Sequence, residues 1–295
     1  MNVIVRIKGG MGNQMFEYAC ARAIQIRHQG DAVILDLAEM ENERNGRKYA
    51  LDAFRIPKSV HILKTHRYDK YSRKENPFLR IGQKLYPEMI YRAYAKNNIF
   101  IWDNDEYKKL KADNAGDIYL NGYWQSSRYF SDVSRQILSD FTFITKLNKE
   151  QEVKKRKISG SQSVCVHIRL GDYLNTANYL VRGGVCTREY YIKGMKIIKN
   201  KIPDAEFHIF SDDMAAAFEM LSGQNDMDMV FEGSNSEKAD LELMSCCRHF
   251  VISNSTFSWW AQYLSKNKAK IVCAPSRWKN GQKVESIYEK NWILI

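Results

Sequence analysis

The sequence predicts an α/β protein with two domains, each built around a parallel β-sheet. With 295 residues, the chain is long enough for two domains that each bury a core of their own. Short apolar segments alternate with helix-like segments through the C-terminal half and again at the start of the chain, which is typical of βαβ units. We expect the first domain to span residues 1–150 and the second to span 151–295.

The alternation is most regular in the C-terminal half. Strands are predicted there at 163–169, 205–211, 228–232, 248–253 and 269–273. Helices are predicted at 187–201, 213–222, 236–247 and 255–266. Strands joined by helices form a parallel sheet that is covered on both faces. The basic run 154–157, beside Ser159, Gly160 and Ser161, is interpreted as an exposed connection.

The N-terminal half begins with the same alternation and then loses it. Predicted in this half are a strand at 2–7, a helix over 13–29, a strand at 32–36, a strand at 117–123 and a helix over 128–139. The stretch 40–115 is polar, basic and aromatic without a regular period. We expect it to form irregular helices and loops that hold an acceptor substrate.

The chain is strongly basic, with a formal net charge of +11. Residues 64–96 contain nine Lys or Arg against three Asp or Glu, with aromatic residues between them. This stretch favours a contact with a membrane surface, a diphosphate-bearing substrate or nucleic acid. The alternative is a solvated helical surface whose aromatic side chains point into the core. We expect a peripheral membrane contact through 64–96 and no nucleic-acid partner.

Cysteine usage and the start of the chain favour the cytoplasm. The predicted strand 2–7 leaves no room for a secretory signal, and no apolar segment approaches the ~20 residues of a membrane span. The six cysteines have no Cys-x-x-Cys spacing, which indicates reduced core thiols.

Several ionisable side chains lie at the carboxyl end of the predicted strand 163–169. His167 and Arg169 alternate along this strand and should project to one side, and Asp172 follows them. Ligands of open α/β sheets bind at this edge, so we expect an imidazole and a guanidinium to reach a common nucleotide. The alternative is a local salt bridge between Arg169 and Asp172 that closes a turn.

The pattern His-x-Arg-x-Gly-Asp at 167–172 resembles the signature of the α-1,2-fucosyltransferases of glycosyltransferase family 11. The segments GGMGNQMFEYA at 9–19 and SNSTFSWW at 253–260 are similar to the same family. The resemblance implies a GT-B fold, with two Rossmann-like domains facing across a cleft. It also implies transfer of L-fucose from GDP-β-L-fucose to the 2-hydroxyl of a terminal galactose, with inversion and without a metal or other cofactor. The acceptor would be a glycan, lipid-linked in O-antigen or capsule synthesis.

The resemblance also assigns residues to the donor. Arg169 would contact the diphosphate and His167 the guanosine, while Asp212 would accept hydrogen bonds from guanine nitrogens. Alternatively, Asp212 or Asp213 only caps the next helix. The expected donor contacts are His167, Arg169, Asp212, Asn254, Ser255, Thr256, Phe257, Gly10, Gly12, Asn13 and Gln14. Ser255 and Thr256 begin a helix whose N–H groups suit a phosphate, although the same residues also make an ordinary helix cap.

Catalytic roles are expected for Asp172, Arg169 and Asn13, and acceptor contacts for Trp124 and Gln125. Inversion needs a base for the acceptor hydroxyl, and Asp172 is the first candidate. An arginine nearby would depress the pKa of that carboxyl, so proton uptake by a donor phosphate oxygen stays an alternative. The Trp259-Trp260 pair is interpreted as core packing.

Other chemistries have weaker support in the sequence. Two Asp-x-Asp triplets, 103–105 and 226–228, are interpreted as surface acids, and no metal site is expected. The turn at 9–12 lacks a dinucleotide-binding fingerprint because Met15 stands where its third glycine belongs. A nicotinamide oxidoreductase and a nucleic-acid-binding protein remain the alternative classes.

Overall fold

The structure, a computed structural model, describes residues 1–40, 47–64, 67–72, 76–102, 104–113, 116–171, 186–233, 235–279 and 282–295. The chain divides into two compact units, Met1–Ile144 and Thr145–Ile295. Each unit contains its own parallel sheet, as the sequence predicts. The expected domain boundary at 150 lies inside the first helix of the second unit.

The first unit is built on a five-stranded parallel sheet with strand order β3-β2-β1-β5-β4. The strands are β1 (Asn2–Arg6), β2 (Ala32–Asp36), β3 (Val60–Leu63), β4 (Ile99–Ile101) and β5 (Ile118–Asn121). The α-helices are α1 (Met11–Arg27), α2 (Pro77–Leu85), α3 (Pro87–Ala95) and α4 (Ser134–Asp140). The predicted β1, α1, β2 and β5 are therefore confirmed to within a few residues at each end.

The central strand β1 directs the chain to the carboxyl edge of the first sheet. Val3 and Val5 are fully buried between β2 and β5, and the chain leaves β1 through a glycine turn. Gly9 has a φ of +71°, a conformation that L side chains rarely adopt. Gly10 is the N-cap of α1, which begins at once and buries Phe16 and Tyr18.

The stretch 40–115 differs from the expectation of irregular structure. It supplies both edge strands of the first sheet, β3 and β4, and the helices α2 and α3. The predicted helix 128–139 is also wrong over its first half, where two 3₁₀ turns precede α4. The Ser126 side chain accepts a hydrogen bond from the Arg128 N–H, and this tight turn replaces the first turn of an α-helix.

The second unit is built on a six-stranded parallel sheet with strand order β11-β10-β9-β6-β7-β8. The strands are β6 (Ser163–Ile168), β7 (Glu206–Ser211), β8 (Asp228–Phe231), β9 (His249–Val251), β10 (Val272–Ala274) and β11 (Ile293–Leu294). The α-helices are α5 (Lys149–Gly160), α6 (Arg188–Lys201), α7 (Met214–Leu221), α8 (Glu237–Ser245) and α9 (Thr256–Leu264). The predicted strands and helices of this half are confirmed, and β11 is an additional strand.

The interpretation of 154–157 as an exposed connection is wrong, because these residues lie inside α5. Asn148 and Gln151 form a capping box that starts the helix. Lys155 then forms a partly buried ion pair with Glu242, and this pair joins α5 to α8.

Buried tryptophans and cysteines complete the core of the second unit. Trp259 and Trp260 are fully buried, and the Trp259 indole N–H donates to the Ile287 carbonyl at 2.7 Å. The interpretation of this pair as core packing is therefore confirmed. All six cysteines of the chain are free thiols, as the absence of Cys-x-x-Cys spacing predicts. No helix among the described residues is long and apolar enough to span a bilayer.

Gly122, directly after β5, provides a test of the packing in the first unit. A Cβ atom at this position would overlap the carbonyl oxygen of Trp102, which cannot retreat because the Trp102 N–H is bonded to the Asn121 carbonyl. We expect Gly122→Ala to lower the free energy of unfolding by about 1–3 kcal/mol. Gly116→Ala, where nothing lies within 4 Å of the added atom, is the matched control. Equal denaturation midpoints for the two variants would contradict this account.

Candidate active site

The carboxyl ends of three neighbouring strands form the candidate site of the second unit. Arg169 follows β6, Asp212 follows β7, and Ser253 follows β9 two residues after the strand ends. Strand β6 lies between β9 and β7 in a fully parallel sheet, so these three segments meet at one edge. The structure therefore brings together the predicted segments 167–171, 211–213 and 253–257.

Asp212 organises the loop that follows β6. Its Oδ1 accepts the Leu170 N–H at 2.9 Å, and its Oδ2 accepts the Gly171 N–H at 3.1 Å. Its Oδ2 also lies 3.1 Å from Nη1 of Arg169. A Cβ atom on Gly171 would lie 2.6 Å from this carboxylate oxygen, so the approach of the loop depends on glycine.

The carboxylate of Asp212 thus accepts hydrogen bonds from the protein itself. Each carboxylate oxygen can accept more than one hydrogen bond and Asp212 is exposed, so the expected guanine contact stays a prediction. The capping alternative holds for Asp213, whose Oδ1 accepts the Ala216 N–H at 3.0 Å at the start of α7. Arg169 pairs with Asp212, and its expected alternative partner Asp172 lies outside the described residues.

Arg169 remains reachable from solvent despite this pair. Its side chain is 21% exposed and that of Asp212 is 24% exposed. A guanidinium presents its N–H donors in a planar fork that matches a phosphate. The Asp212 carboxylate fixes the orientation of this fork at the sheet edge.

The His167 ring contacts the segment that follows β9. Its Nδ1 lies 2.8 Å from Oγ of Ser253, its ring centroid is 5.7 Å from that of Phe257, and it is 4% exposed. Burial and the nearby Arg169 cation lower the pKa of His167 to about 3, so the imidazole is neutral. The expected contact with guanosine stays a prediction, and the observed contacts position the segment before α9.

The N-terminus of α9 stands beside this histidine. Ser255 is the N-cap, and its Oγ accepts the Phe257 N–H at 3.3 Å. Thr256 and Phe257, the first two helical residues, are half-buried. The first N–H groups of a helix lack partners within the helix and carry a partial positive charge, so this terminus can bind a phosphate.

Asn254 has a structural contact instead of an open amide. Its Nδ2 donates to the Trp278 carbonyl at 3.0 Å, and the residue is 4% exposed. It therefore joins the strand-to-helix turn to the segment after β10. Of the expected donor residues in the second unit, Asp212 is exposed and Arg169, Thr256 and Phe257 are half-buried, so these four are the most open to a ligand.

The first unit presents amides at the carboxyl edge of its own sheet. Asn13 lies in the first turn of α1, and Gln125 follows β5, the strand next to β1. The Gln125 Nε2 donates to Oδ1 of Asn13 at 2.9 Å, and both residues are half-buried. The structure thus pairs a residue expected at the donor with one expected at the acceptor.

Three other residues with expected contacts in the first unit are buried. Gln14 is fully buried, because its Nε2 donates to the Gly9 and Lys48 carbonyls and its Oε1 accepts the Ala50 N–H, each at 2.9 Å. Gly12 is buried within α1. Trp124 is 2% exposed and packs edge-on against Tyr129 at 5.5 Å. Their expected contacts with the donor or the acceptor stay predictions.

Two cations lie at this edge that the sequence does not predict as site residues. The Lys8 amine donates to Oδ1 of Asn121 at 3.0 Å and lies 4.7 Å from the ring centroid of Tyr123. The Arg47 guanidinium lies over Gly10, where an added Cβ atom would be 3.4 Å from its Nη1. The one sequence signal for Lys8 is its position directly after β1. Arg47 lies in the stretch 40–115, which has no regular pattern and gives no such signal.

Two of the predictions concern residues that the structure leaves out. Asp172, the expected base, and Asp103 of the first Asp-x-Asp triplet lie outside the described residues. Within the described part of the chain, no group of three His, Cys, Asp or Glu side chains is arranged to hold a metal ion.

A cation and a helix N-terminus at the carboxyl edge of a parallel sheet are a common arrangement for binding a phosphate group in α/β proteins. The chain belongs to glycosyl transferase family 11, because the model of that family matches residues 2–295. An alpha-1,2-colitosyltransferase of Escherichia coli is 29% identical to this chain over 99% of the chain and 98% of its own length. The galactoside 2-alpha-L-fucosyltransferase SEC1 of Bos taurus is 26% identical over 99% of this chain and 73% of its own length.

Among solved structures, a mutant of Arabidopsis thaliana FUT1 in complex with GDP shares the fold. The TM-score is 0.52 at 11% sequence identity, and the match covers 92% of this chain and 69% of that chain. At this identity the likeness concerns the fold alone. It confirms the predicted α/β fold class, and the family confirms that the chain is a glycosyltransferase.

The low pKa of His167 predicts an acid dependence of stability. Below about pH 6.5, the pKa of histidine in the unfolded chain, His167 takes up a proton in the unfolded state but not in the folded state. The free energy of unfolding therefore falls by about 1.4 kcal/mol for each unit by which the pH is lowered. We expect His167→Gln to lose this contribution between about pH 6.5 and pH 5. Guanidinium denaturation at several pH values measures the two slopes. Identical slopes would mean that His167 is protonated in the folded protein.

Proposed function

We propose that this chain is an inverting galactoside α-1,2-fucosyltransferase. It moves L-fucose from GDP-β-L-fucose to the 2-hydroxyl of a terminal galactose in a glycan. The observation that carries the proposal is the meeting of Arg169, oriented by Asp212, with the N-terminus of α9 at one sheet edge, in a chain of family 11. The linkage is supported by the names of the E. coli and Bos taurus relatives.

This arrangement suits a reaction whose leaving group is a diphosphate. The acceptor oxygen forms a bond to the anomeric carbon as the bond from that carbon to the diphosphate breaks, and negative charge grows on the departing GDP. Arg169 and the first N–H groups of α9 are donors fixed before the reaction, so they can stabilise that charge without reorganising. The proposed reaction needs neither a metal ion nor a further cofactor, with GDP-fucose acting as a co-substrate.

The proton of the acceptor hydroxyl needs a destination. We assign it to Asp172 on the ground of its position in the sequence, two residues after the loop residue Leu170 that Asp212 holds. Proton uptake by a phosphate oxygen of the donor is the alternative. Asn13, in its hydrogen bond with Gln125, is proposed to position a sugar hydroxyl at the edge of the first unit.

A second donor is favoured by one specific observation. The E. coli relative at 29% identity is named a colitosyltransferase, and colitose is L-fucose without its 3-hydroxyl. A site that hydrogen-bonds this hydroxyl discriminates strongly against the deoxy sugar, whereas an apolar site discriminates weakly. The ratio of the two donors' kcat/KM values therefore reports which sugar the site is built for.

The donor and the metal independence are tested together by GDP release. We expect release from GDP-fucose that depends on a β-galactoside acceptor and continues in excess EDTA. GDP-colitose, GDP-mannose and UDP-galactose serve as comparison donors. Release from GDP-colitose alone would retain the family and change the sugar, and activity that is lost in EDTA and restored by manganese would overturn the metal-independent mechanism.

The role of Arg169 is tested by replacing it with alanine or lysine. We expect Arg169→Ala to lower kcat by about 10²–10³-fold, because it removes a donor that acts on the developing charge. Arg169→Lys should restore only part of this loss, since an ammonium lacks the planar fork. Arg188→Ala, which removes an exposed arginine bonded to the Ser222 carbonyl, is the control. Equal kcat values for Arg169→Ala and the control would contradict the assignment.

A further inference from the structure

Helices α2 and α3 form a hairpin with an unusual surface. Four large apolar side chains on it face solvent: Phe78 is 87% exposed, Ile81 55%, Leu85 60% and Met89 60%. Large apolar side chains that cluster on a surface mark a contact with a partner or a membrane. We call Phe78, Ile81, Leu85, Tyr86 and Met89 the apolar ridge.

The ridge follows from the spacing of residues on α2. Phe78, Ile81 and Leu85 are separated by three and four positions, so they lie along one face of the helix. Leu79 lies on a different face and is the buried residue of α2. The helix therefore has a second apolar face that the fold of the first unit does not cover.

Close packing holds this face outward. A Cβ atom on Gly82 of α2 would lie 3.0 Å from Ile90 of α3, so the two helices meet at this glycine. Helix α3 in turn buries Tyr91, whose ring packs edge-on against Trp102 at 5.5 Å. The Tyr91 hydroxyl donates to the Lys109 carbonyl at 2.9 Å. The hairpin is anchored by these contacts on its inner side, and the ridge takes no part in them.

Cations border the ridge. Arg80 and Lys84 of α2, Arg92 of α3 and Lys96 after α3 are all exposed. Between Pro77 and Lys96 the sequence contains a single acidic residue, Glu88, which is paired with Lys108. The surface of the hairpin thus combines exposed apolar side chains with unbalanced positive charge.

We propose that the α2–α3 hairpin docks this chain onto the surface of an anionic lipid bilayer. The ridge would enter the boundary between headgroups and acyl chains, with Tyr86, 59% exposed between the helices, at the interface. The bordering lysines and arginines would pair with anionic headgroups. This inference concerns where the enzyme works and does not depend on the identity of its donor.

The charges favour a bilayer over other occupants. A second copy of the chain would bring its own cationic hairpin against the first, and both carry a net charge of the same sign. Nucleic acid would satisfy the cations but would leave the aliphatic side chains of the ridge in water. The expected alternative, that aromatic residues of 64–96 point inward, holds for Tyr68, which stacks on Tyr119 at 4.4 Å, and not for Phe78.

Sedimentation with lipid vesicles tests the proposal. We expect the wild-type chain to bind vesicles of phosphatidylcholine with phosphatidylglycerol and to bind pure phosphatidylcholine much more weakly. Phe78→Ser combined with Ile81→Ser should lower the partition coefficient on anionic vesicles by about tenfold or more. Arg80→Gln combined with Lys84→Gln should lower it by about tenfold and reduce its dependence on salt.

Phe218→Ser is the matched control, because Phe218 is 61% exposed on α7 of the second unit and should not affect binding. Circular dichroism and GDP binding check that each variant is folded, and activity on a soluble acceptor should be unchanged in all of them. Equal binding to both vesicle types, or equal binding by the ridge variant and the control, would overturn the proposal. A wild-type dimer that the ridge substitutions dissociate would assign the ridge to self-association instead.

Discussion

The carboxylate of Asp212 holds together the loop after β6 and the Arg169 guanidinium at the carboxyl edge of the second sheet. It accepts the N–H groups of Leu170 and Gly171 and pairs with Arg169, so it joins the chain after β6 to the chain after β7. On the other flank of β6, the bond from His167 to Ser253 joins the same strand to the turn before α9. Because burial keeps His167 neutral, the Arg169 guanidinium is not opposed by a second cation from its own strand.

The two units present different chemistry at the carboxyl edges of their sheets. The second places a guanidinium and a helix N-terminus, which suit a phosphate. The first places the half-buried amides of Asn13 and Gln125, which both donate and accept hydrogen bonds and suit sugar hydroxyls. In the first unit, the burial of Gln14 fixes the glycine turn that presents Asn13.

The regular half of the fold could be predicted from the sequence, because each buried strand of the second sheet is bounded by a helix. Strands β3 and β4 could not: β3 and β4 have only four and three residues, and β3 is largely exposed, so neither has the length or the alternation that marks a strand in the sequence. At the site, Arg169 and the start of α9 could be predicted from their places at strand ends. The bonds of Asp212 to two backbone N–H groups and the burial of Trp124 depend on tertiary packing, which no local pattern records.

The size of the apolar ridge sets the kind of membrane contact that it can support. Leu79 and Tyr91 already anchor the hairpin, so the exposed Phe78 and Leu85 add nothing to the core while adding apolar surface in water. A few inserted side chains with bordering cations give a reversible attachment that weakens as salt screens the charges. In the proposed docking, such an attachment would hold the chain at a membrane surface and still let it return to solution, whereas insertion of a membrane-spanning helix is effectively irreversible.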